Sequence, residues 1–304
     1  MARQNRRGRD VSGILLLDKP VGYTSNQILQ RVKRLLNAKK AGHTGSLDPI
    51  ATGLLPLCFG EATKVSRFLL DSDKRYLSTF QLGQATNTCD TEGEVISERP
   101  VKVNREQIEQ ALTGFMGDIQ QIPPMHSAIK RNGQPLYKLA RQGIELELEP
   151  RQVTVHDLKL INLSQDACSL ELDITCSKGF YIRSLARDLG ETLGCGAHVS
   201  ALRRLVVAGF QVDDAISLHE LEGAEDATQL DQYLLHADDG LGHLPGVQLS
   251  QDAAYYLCRG QAVRAADSPA TGWVRLYANG ARFLGVGQVL DDGRIAPKRL
   301  FHSG

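Results

Sequence analysis

The stretch Gly42-His43-Thr44-Gly45-Ser46-Leu47-Asp48-Pro49-Ile50-Ala51-Thr52-Gly53 surrounds a single carboxylate with glycines, small residues and a proline. Pro49 fixes its own φ and disfavours the α region at the residue before it, so Asp48 is expected on extended backbone. Gly45 and Gly53 permit a positive φ or the close approach of a bulky ligand. The pattern predicts a fixed turn that presents Asp48 as a nucleophile, although aspartates in such turns commonly bind only backbone amides.

Other chemistries are disfavoured by spacing. The stretch does not end in Gly-Lys-Ser/Thr, so it is not a phosphate-binding loop. There is no second glycine-flanked acid that would suggest the carboxylate pair of a glycosidase. None of the six cysteines forms a C-x-x-C pair, and the eight histidines show no metal-ligand spacing beside them. Reduced thiols are therefore expected, with neither a metal nor a cofactor.

Length and composition describe an ordinary globular protein. A chain of 304 residues can bury a sizeable core and is expected to hold one large and one small domain. No apolar run approaches the about 20 residues that a membrane span requires. The arginine-rich N-terminus lacks an apolar segment of signal-peptide length before Asp18. These features predict a cytoplasmic protein with no membrane partner.

Charge is distributed unevenly along a chain whose formal net charge is zero. Residues 1–40 hold ten lysines and arginines against two aspartates, whereas residues 205–258 hold acids and no lysine or arginine. A basic arm that leads directly to the Asp48 turn favours a nucleic-acid partner. The acidic segment is interpreted as a solvated face.

Apolar periodicity predicts the main elements of an α+β fold. A buried strand at 13–17 precedes a helix capped by Thr24 or Ser25, and Asn104 with Gln107 resembles the capping box of a later helix. A short helix is predicted from Gly60 to residue 70. Further strands are predicted at 74–82, 153–163, 168–176, 274–276, 283–289 and near 295, with type I′ turns at Asn279-Gly280 and Asp292-Gly293.

Several segments, taken in order, resemble the bacterial TruB-type tRNA pseudouridine synthases, and the likeness covers nearly the whole chain. The matching segments are Leu16-Leu17-Asp18-Lys19-Pro20-x-Gly22, Gly42-His43-Thr44-Gly45-x-Leu47-Asp48-Pro49, Gly60-Glu61-Ala62-Thr63-Lys64, Asp73-Lys74-Arg75-Tyr76, Gln121-Ile122-Pro123-Pro124-x-x-Ser127-Ala128-x-Lys130, Ala140-Arg141-x-Gly143, Ser177-Lys178-Gly179-x-Tyr181-Ile182-Arg183 and Gly194-Cys195-Gly196-Ala197-His198-Val199. Each segment alone is weak evidence, but their common order is specific.

The resemblance implies a catalytic domain over residues 1–245, built on a long, mostly antiparallel sheet with an RNA-binding cleft. It implies a thumb-like insertion at about residues 120–150 that grips the T-arm of tRNA. A small PUA-like RNA-binding β domain is expected over residues 246–304. The implied activity is the isomerisation of uridine 55 in the T-loop to pseudouridine, by a monomer without an obligatory protein partner.

The resemblance also implies roles for single residues. Asp48 matches the family nucleophile, Arg183 the arginine that pairs with it, and Tyr76 the tyrosine that stacks on the uracil and is a hypothetical base. His43 is placed to stack in the space left by a flipped base, and Tyr181 and Leu202 match positions that line the uracil pocket. The sequence leaves open attack at C1′, addition to uracil C6 and a glycal route.

A second set of expectations concerns RNA contacts and competing functions. Lys64, Lys130 and Arg141 are interpreted as phosphate or structural contacts. One alternative function is an RNA-binding or tRNA-folding module in which chemistry is secondary. Another is a guide-RNA-dependent synthase like the dyskerin-type relatives, which the short C-terminal β domain disfavours.

Overall fold

The structure, a computed structural model, describes residues 8–127, 129–131, 133–140, 142–144 and 146–301. Arg141 and the first arginines of the basic arm, Arg3, Arg6 and Arg7, lie outside the described residues. Within these ranges no helix is long and apolar enough to span a lipid bilayer.

The chain combines short helices with strands that pair mostly antiparallel, which confirms the α+β class. The strands are β1 Gly13–Lys19, β2 Ala41–His43, β3 Ala51–Phe59, β4 Lys74–Leu82, β5 Gln84–Thr86, β6 Val95–Glu98, β7 Gly117–Gln121, β8 Lys130–Arg131, β9 Gln134–Pro135, β10 Arg151–Leu163, β11 Ser169–Cys176, β12 Ala197–Val207, β13 Phe210–Gln211, β14 Ile216–Ser217, β15 Leu234–Leu235, β16 Gly246–Leu249, β17 Gly272–Ala278, β18 Arg282–Val289 and β19 Ile295–Leu300. The α-helices are α1 Ser25–Leu35, α2 Ser66–Leu70, α3 Arg105–Thr113, α4 Leu136–Ala140, α5 Ile182–Thr192, α6 Leu218–Glu222 and α7 Gln251–Leu257. Short 3₁₀ turns lie at Gly60–Lys64, Val212–Asp214, Gln229–Tyr233 and Asp239–Leu241.

The chain forms two compact units. The first comprises the described residues of Met1–Leu47, Leu54–Asp71 and Val207–Gly304, and the second comprises Asp48–Gly53 and Ser72–Val206. Strand β3 therefore contributes its first three residues to the second unit and the rest to the first. The expected domain boundary near residue 246 stays a prediction.

The second unit is built on a mixed sheet in the order β3-β12-β4-β11-β10-β7. Strands β4, β11, β10 and β7 pair antiparallel in succession, and β3 runs parallel to β12. The predicted pairing of the strands at 153–163 and 168–176 is confirmed, with Leu158 opposite Ile174. Strand β11 alternates buried and partly exposed residues, as expected for a sheet with one face in the core.

Gly53 lies where strands β3 and β12 approach most closely. Its φ is +96°, and it is the register partner of Arg204. A Cβ at this position would lie 2.3 Å from the backbone oxygen of Arg204. The predicted positive φ is confirmed, and the close neighbour is a strand of the protein's own sheet.

Replacing Gly53 with alanine is expected to lower the free energy of unfolding by at least about 2 kcal/mol, because the left-handed φ and the backbone clash both oppose a side chain. Gly42→Ala is the matched control, since a Cβ there meets nothing within 4 Å and its φ is not positive. It should stay within about 0.5 kcal/mol of the parent in denaturant titrations. Equal stabilities of the two variants would contradict the packing described here.

In the first unit, β1 pairs in parallel with β14 and antiparallel with β15, and β2 pairs with the last residues of β3. Helix α1 begins after Thr24, whose side chain caps the helix in a reciprocal capping box with Gln27. The capping box that the sequence predicts at Asn104 and Gln107, in the second unit, is likewise present. The short helix predicted from Gly60 is instead a 3₁₀ turn followed by α2.

The acidic segment is not simply a solvated face, which corrects the sequence interpretation. Arg31 of α1 forms an ion pair with Glu222, at the end of α6, and Arg9 forms one with Asp231. Arg31 also donates a hydrogen bond of 2.8 Å to the hydroxyl of Tyr23. Part of the N-terminal basic arm is therefore neutralised by the acidic segment inside the first unit.

The C-terminal strands form a separate sheet, ordered β16-β17-β18-β19, over its own apolar core. Asn279 and Gly280 both have positive φ between β17 and β18, so the predicted type I′ turn agrees with the backbone. The type I′ prediction for Asp292-Gly293 is wrong, because of these two residues only Gly293 has a positive φ. There the amide of Gly293 donates to the carbonyl of Leu290 in a longer turn.

Candidate active site

The backbone of Leu47, immediately before Asp48, is held by the buried side chain of Ser25. The Ser25 hydroxyl accepts a hydrogen bond from the Leu47 amide at 2.7 Å and donates one to the Leu47 carbonyl at 3.1 Å. On the other side, the carbonyl of Asp48 accepts from the Ala51 amide at 3.0 Å. Gly45 has a φ of +89°, as the sequence predicts. The turn therefore holds the Asp48 backbone on both sides.

Arg183 meets the Asp48 carboxylate with two nitrogens, as predicted. Its Nε lies 2.9 Å from one carboxylate oxygen, and a terminal nitrogen lies 3.1 Å from the other. The Arg183 side chain is 6% exposed and the Asp48 side chain is 36% exposed. A bidentate pair of this kind fixes the carboxylate in one orientation and favours its ionised form. Asp48 is thus a charged, oriented group that solvent or a substrate can reach.

A second carboxylate, Asp90, contacts the same guanidinium, and the sequence interpretation missed it. One Asp90 oxygen lies 3.4 Å from Arg183, and the Asp90 side chain is only 3% exposed. Arg183 also donates to the carbonyls of Thr88 at 3.3 Å and His126 at 2.7 Å. The guanidinium is therefore held by groups from three separate segments, which leaves it little freedom to follow Asp48 if that residue moves.

The loop that carries Asp90 is itself tightly constrained. The Asp90 carboxylate accepts hydrogen bonds from the Thr88 hydroxyl at 2.6 Å and the Glu92 amide at 3.1 Å. Cys89 has a φ of +61°, and its carbonyl accepts from the amide of Val199 in β12 at 3.0 Å. Strained backbone of this kind persists where its surroundings determine it. The loop is thus a fixed support for Asp90.

Tyr76 lies on β4, near Asp48, and its phenol is hydrogen-bonded to Arg204 of β12. Burial raises the pKa of the Tyr76 phenol, the Arg204 guanidinium opposes this effect, and the Asp48 carboxylate adds to it. Arg204 is 1% exposed, and burial lowers the pKa of its guanidinium. Sequence reasoning missed Arg204, although strand periodicity places it on the same face of β12 as the predicted pocket residue Leu202.

Tyr181 is positioned by a buried glutamine amide. Gln121, which is 2% exposed, accepts from the Tyr181 amide at 2.8 Å and donates to the Tyr181 carbonyl at 3.1 Å. Tyr181 is the residue immediately before α5, two positions before Arg183. Burial raises the pKa of the Tyr181 phenol, so the neutral form is favoured. Gln121 therefore fixes the chain at the start of the helix that carries Arg183.

Replacing Gln121 with methionine should leave the Tyr181 amide and carbonyl without their side-chain partner and displace the start of α5. Because displacements of about 1 Å at a reacting centre can cost about a hundredfold in rate, we expect kcat to fall by about tenfold or more. Gln120→Met is the matched control, since Gln120 is an exposed neighbour on the same strand. Steady-state kinetics on tRNA would check this, and equal kcat values for the two variants would contradict the positioning role.

The remaining predicted residues lie in two places. Leu202 is buried in the second unit, opposite Ala51 in the β3–β12 register. His43 and Lys64 belong to the first unit. His43 ends β2, opposite Leu57 of β3. The Lys64 ammonium lies 2.5 Å from the Glu61 carboxylate and donates to the Leu300 carbonyl at 2.7 Å, so it has a structural role there. Within the described residues, no group of histidine, cysteine and acidic side chains could hold a metal ion.

Three family descriptions match successive parts of the chain. Residues 33–182 match the TruB family pseudouridylate synthase N-terminal domain, and residues 183–241 match the tRNA pseudouridylate synthase B C-terminal domain. Residues 245–301 match the C-terminal domain of pseudouridine synthase II TruB. The chain belongs to the TruB family of pseudouridylate synthases.

Relatives with high sequence identity carry one more specific name. The chain is 56% identical over 306 residues to the tRNA pseudouridine synthase B of Stutzerimonas stutzeri, covering all of both chains. It is 54% identical over 308 residues to the enzyme of the same name from Pseudomonas paraeruginosa, again with full coverage of both.

Two solved structures contain chains with a similar fold. A crystal structure of a Cbf5-Nop10-Gar1 complex contains a chain that matches with a TM-score of 0.73 at 25% identity, covering 95% of this chain and 85% of that one. A structure of an H/ACA RNP bound to a substrate RNA containing 2′-deoxyuridine matches with a TM-score of 0.72 at 22% identity, covering 99% and 92%. The second likeness concerns the fold alone.

Proposed function

We propose that this chain converts uridine 55 in the T-loop of tRNA to pseudouridine, with Asp48 as the reacting carboxylate. Family membership and full-length relatives above 50% identity make it a pseudouridine synthase, which is an isomerase. The observation that carries the proposal is the bidentate pair between a reachable Asp48 and a buried Arg183. It supplies one oriented carboxylate, which is the group that the reaction requires.

The reaction rearranges bonds within one nucleotide. The bond between uracil N1 and ribose C1′ breaks, the uracil turns, and a bond forms between C5 and C1′. C5 loses a proton and N1 gains one, so no atoms are gained or lost overall. A carboxylate can stabilise the ribosyl cation covalently or electrostatically, or add to uracil C6. Asp48 suits each of these routes, and the glycal route remains a third possibility.

The target uridine is buried inside the T-loop, so it must leave the loop to reach a carboxylate in the protein. We assign Tyr76, Tyr181 and Leu202 to the uracil pocket. The raised pKa of Tyr76, caused mainly by burial, suits a neutral ring that stacks on the base. His43 is assigned to the space that the base leaves. Lys64, which also holds Glu61 and the Leu300 carbonyl within the fold, is assigned to the RNA contact that the family resemblance implies.

Further elements of the proposal follow from the resemblance to the family. Residues of about 120–150 would grip the T-arm, and residues 246–304 would form a PUA-like RNA-binding domain beside a catalytic domain of 1–245. The enzyme would act in the cytoplasm as a monomer on free tRNA, without a cofactor or an obligatory protein partner.

The proposal is tested with tRNA transcripts tritiated at uracil C5. Wild-type protein without added cofactor or guide RNA should release tritium from the transcript with uridine 55. A transcript with cytidine at position 55 should release only background tritium. Release that does not depend on position 55 would overturn the site assignment. Release only with an added guide RNA would favour the guide-dependent alternative, and tight binding without release would favour an RNA-folding module.

The basic face of α1 should contribute to tRNA affinity through phosphate contacts. Arg31 is already paired with Glu222, whereas within the described part of the chain neither Lys33 nor Arg34 forms a side-chain ion pair. Changing Lys33 and Arg34 together to glutamine should reduce the magnitude of the salt slope of binding, d log K/d log[salt], by about 1 to 2. Arg31→Gln is the control and should change the slope less. Binding isotherms at several salt concentrations would check this, and an unchanged slope in the double variant would contradict a docking role for α1.

A further inference from the structure

The structure contains a second buried arginine beside the reacting groups, Arg204, which the proposed reaction does not use. It lies on β12, between β3 and β4 in the sheet order, and is 1% exposed. Its backbone is packed against Gly53 so closely that a Cβ there would lie 2.3 Å from the Arg204 oxygen. Strands β12 and β3 are therefore in close backbone contact at Arg204.

A buried guanidinium needs hydrogen-bond acceptors, because an uncompensated charge in the interior is costly. One acceptor for Arg204 is the phenol of Tyr76, on the neighbouring strand β4. Since a guanidinium can only donate, the Tyr76 oxygen must accept from it, which restricts where the phenol can lie. The fixed position of Arg204 therefore limits the orientations that the Tyr76 ring can take.

We propose that Arg204 is a positioning residue that holds the Tyr76 ring in the orientation in which the uracil stacks on it. This proposal rests on the proposed function, since it concerns the tyrosine of the uracil pocket. Arg183 then orients the carboxylate of Asp48, and Arg204 orients the ring of Tyr76. Each arginine can be replaced in a separate variant, so the two effects can be measured one at a time.

The electrostatic surroundings of Tyr76 give the pairing a measurable signature. Arg204 on β12, Cys176 on β11 and Asp48 in the turn are among the charged or titratable groups that influence the phenol. Arg204 favours the phenolate, and it works against burial and the Asp48 carboxylate. Removing its positive charge should therefore raise the pKa of Tyr76 further, and the phenol should ionise at a higher pH.

The test compares Arg204→Met with the wild type, using tyrosine labelled with ¹³C at Cζ. The chain has eight tyrosines, and Tyr76→Phe identifies the Tyr76 resonance by its loss. In Arg204→Met this resonance should begin to titrate at a higher pH than in the wild type. Arg204→Lys keeps the charge, and its Tyr76 resonance should titrate at a pH between those of the wild type and Arg204→Met. This variant also provides a folded protein to test if the methionine variant unfolds. An identical titration in all folded variants would overturn the proposal.

Kinetics separate positioning from a general structural role. Arg204→Met should lower kcat by about tenfold to a hundredfold and change KM for tRNA less than about threefold, because the ring is misplaced while the RNA surface is intact. In a Tyr76→Phe background the same change should lower kcat less than about twofold further, because coupled residues are not additive. Full additivity, or a loss confined to KM, would overturn the proposal.

Arg203→Met is the matched control for these experiments. Arg203 is the preceding residue on β12, less buried than Arg204, and strand geometry directs it to the opposite face. It should leave both the Tyr76 titration and kcat unchanged. The titration needs neither RNA nor activity, so a failure of the pairing would be seen separately from a failure of the wild type to form pseudouridine.

Discussion

Replacing Asp48 with asparagine is expected to reduce pseudouridine formation by more than about 10⁴-fold, because the amide can neither form an ester nor stabilise a ribosyl cation as a carboxylate does. Binding of tRNA should change little, since asparagine keeps the shape of the side chain and can still accept a hydrogen bond from Arg183. Single-turnover release of tritium from uracil C5, together with filter binding, would measure both effects.

Asp173→Asn is the matched control for this prediction. Asp173 also forms a close pair with an arginine, Arg75, on neighbouring strands of the same sheet, at 2.5 Å. Strand alternation directs Arg75 to the face of β4 opposite Tyr76, so the loss of this pair should change the rate less than about twofold. If Asp173→Asn lost activity to the same degree as Asp48→Asn, the loss would reflect damage to the sheet rather than to a nucleophile.

Replacing Arg183 with methionine is expected to have the second largest effect, on both stability and rate. It removes the shared cation of Asp48 and the deeply buried Asp90. Breaking a buried ion pair by removing one partner costs about 3–5 kcal/mol, and we expect a destabilisation of that order. The rate should fall by about a thousandfold or more, because the carboxylate loses its orientation and the charge that favours its ionised form.

A double variant separates these two consequences. Adding Asp90→Asn to Arg183→Met removes the buried carboxylate that has lost its cation, so part of the unfolding free energy should return. The rate should not return, since Asp48 still lacks its partner. Denaturant titrations and tritium release would measure the two quantities in parallel. Recovery of both together would show that the rate loss of Arg183→Met was only a stability effect.

The sequence predicted the elements whose signals are local. Patterns within a few residues were enough to predict the helix caps at Thr24 and Asn104. They also predicted the strands around residues 74–82 and 153–176 and the Asn279-Gly280 turn. The turn at Asp292-Gly293 was assigned wrongly because an Asp-Gly pair also suits a longer turn with only one left-handed residue. Local patterns thus predict whether a helix, strand or turn is present more reliably than they predict the type of a turn.

The site could be predicted only where a resemblance supplied partners that are distant in the chain. Asp48 and Arg183 are separated by 135 positions. Asp90 contacts Arg183, and Gln121 contacts the Tyr181 backbone, through buried contacts that no local pattern shows. Arg204, in contrast, could have been found from the sequence. It lies two positions after the pocket residue Leu202 on the same predicted strand, so strand alternation places it on the pocket face.

Charge runs were the weakest guide to function. The basic arm and the acidic segment, opposite in sign and distant in sequence, were interpreted as a docking face and a solvated face. The structure pairs Arg31 with Glu222 and Arg9 with Asp231 within the first unit. The net charge of a sequence segment cannot reveal such ion pairs, because the pairing depends on which segments the fold brings together.

The most direct test of the central claim is carbodiimide mapping of pseudouridine in unmodified tRNA after incubation with wild-type or Asp48→Asn protein. One new reverse-transcription stop is expected, at position 55 of the T-loop, with the wild type alone. The same stop with the Asp48→Asn protein would contradict the role of Asp48. No stop with a wild-type protein that binds the tRNA tightly would contradict the assignment of the reaction.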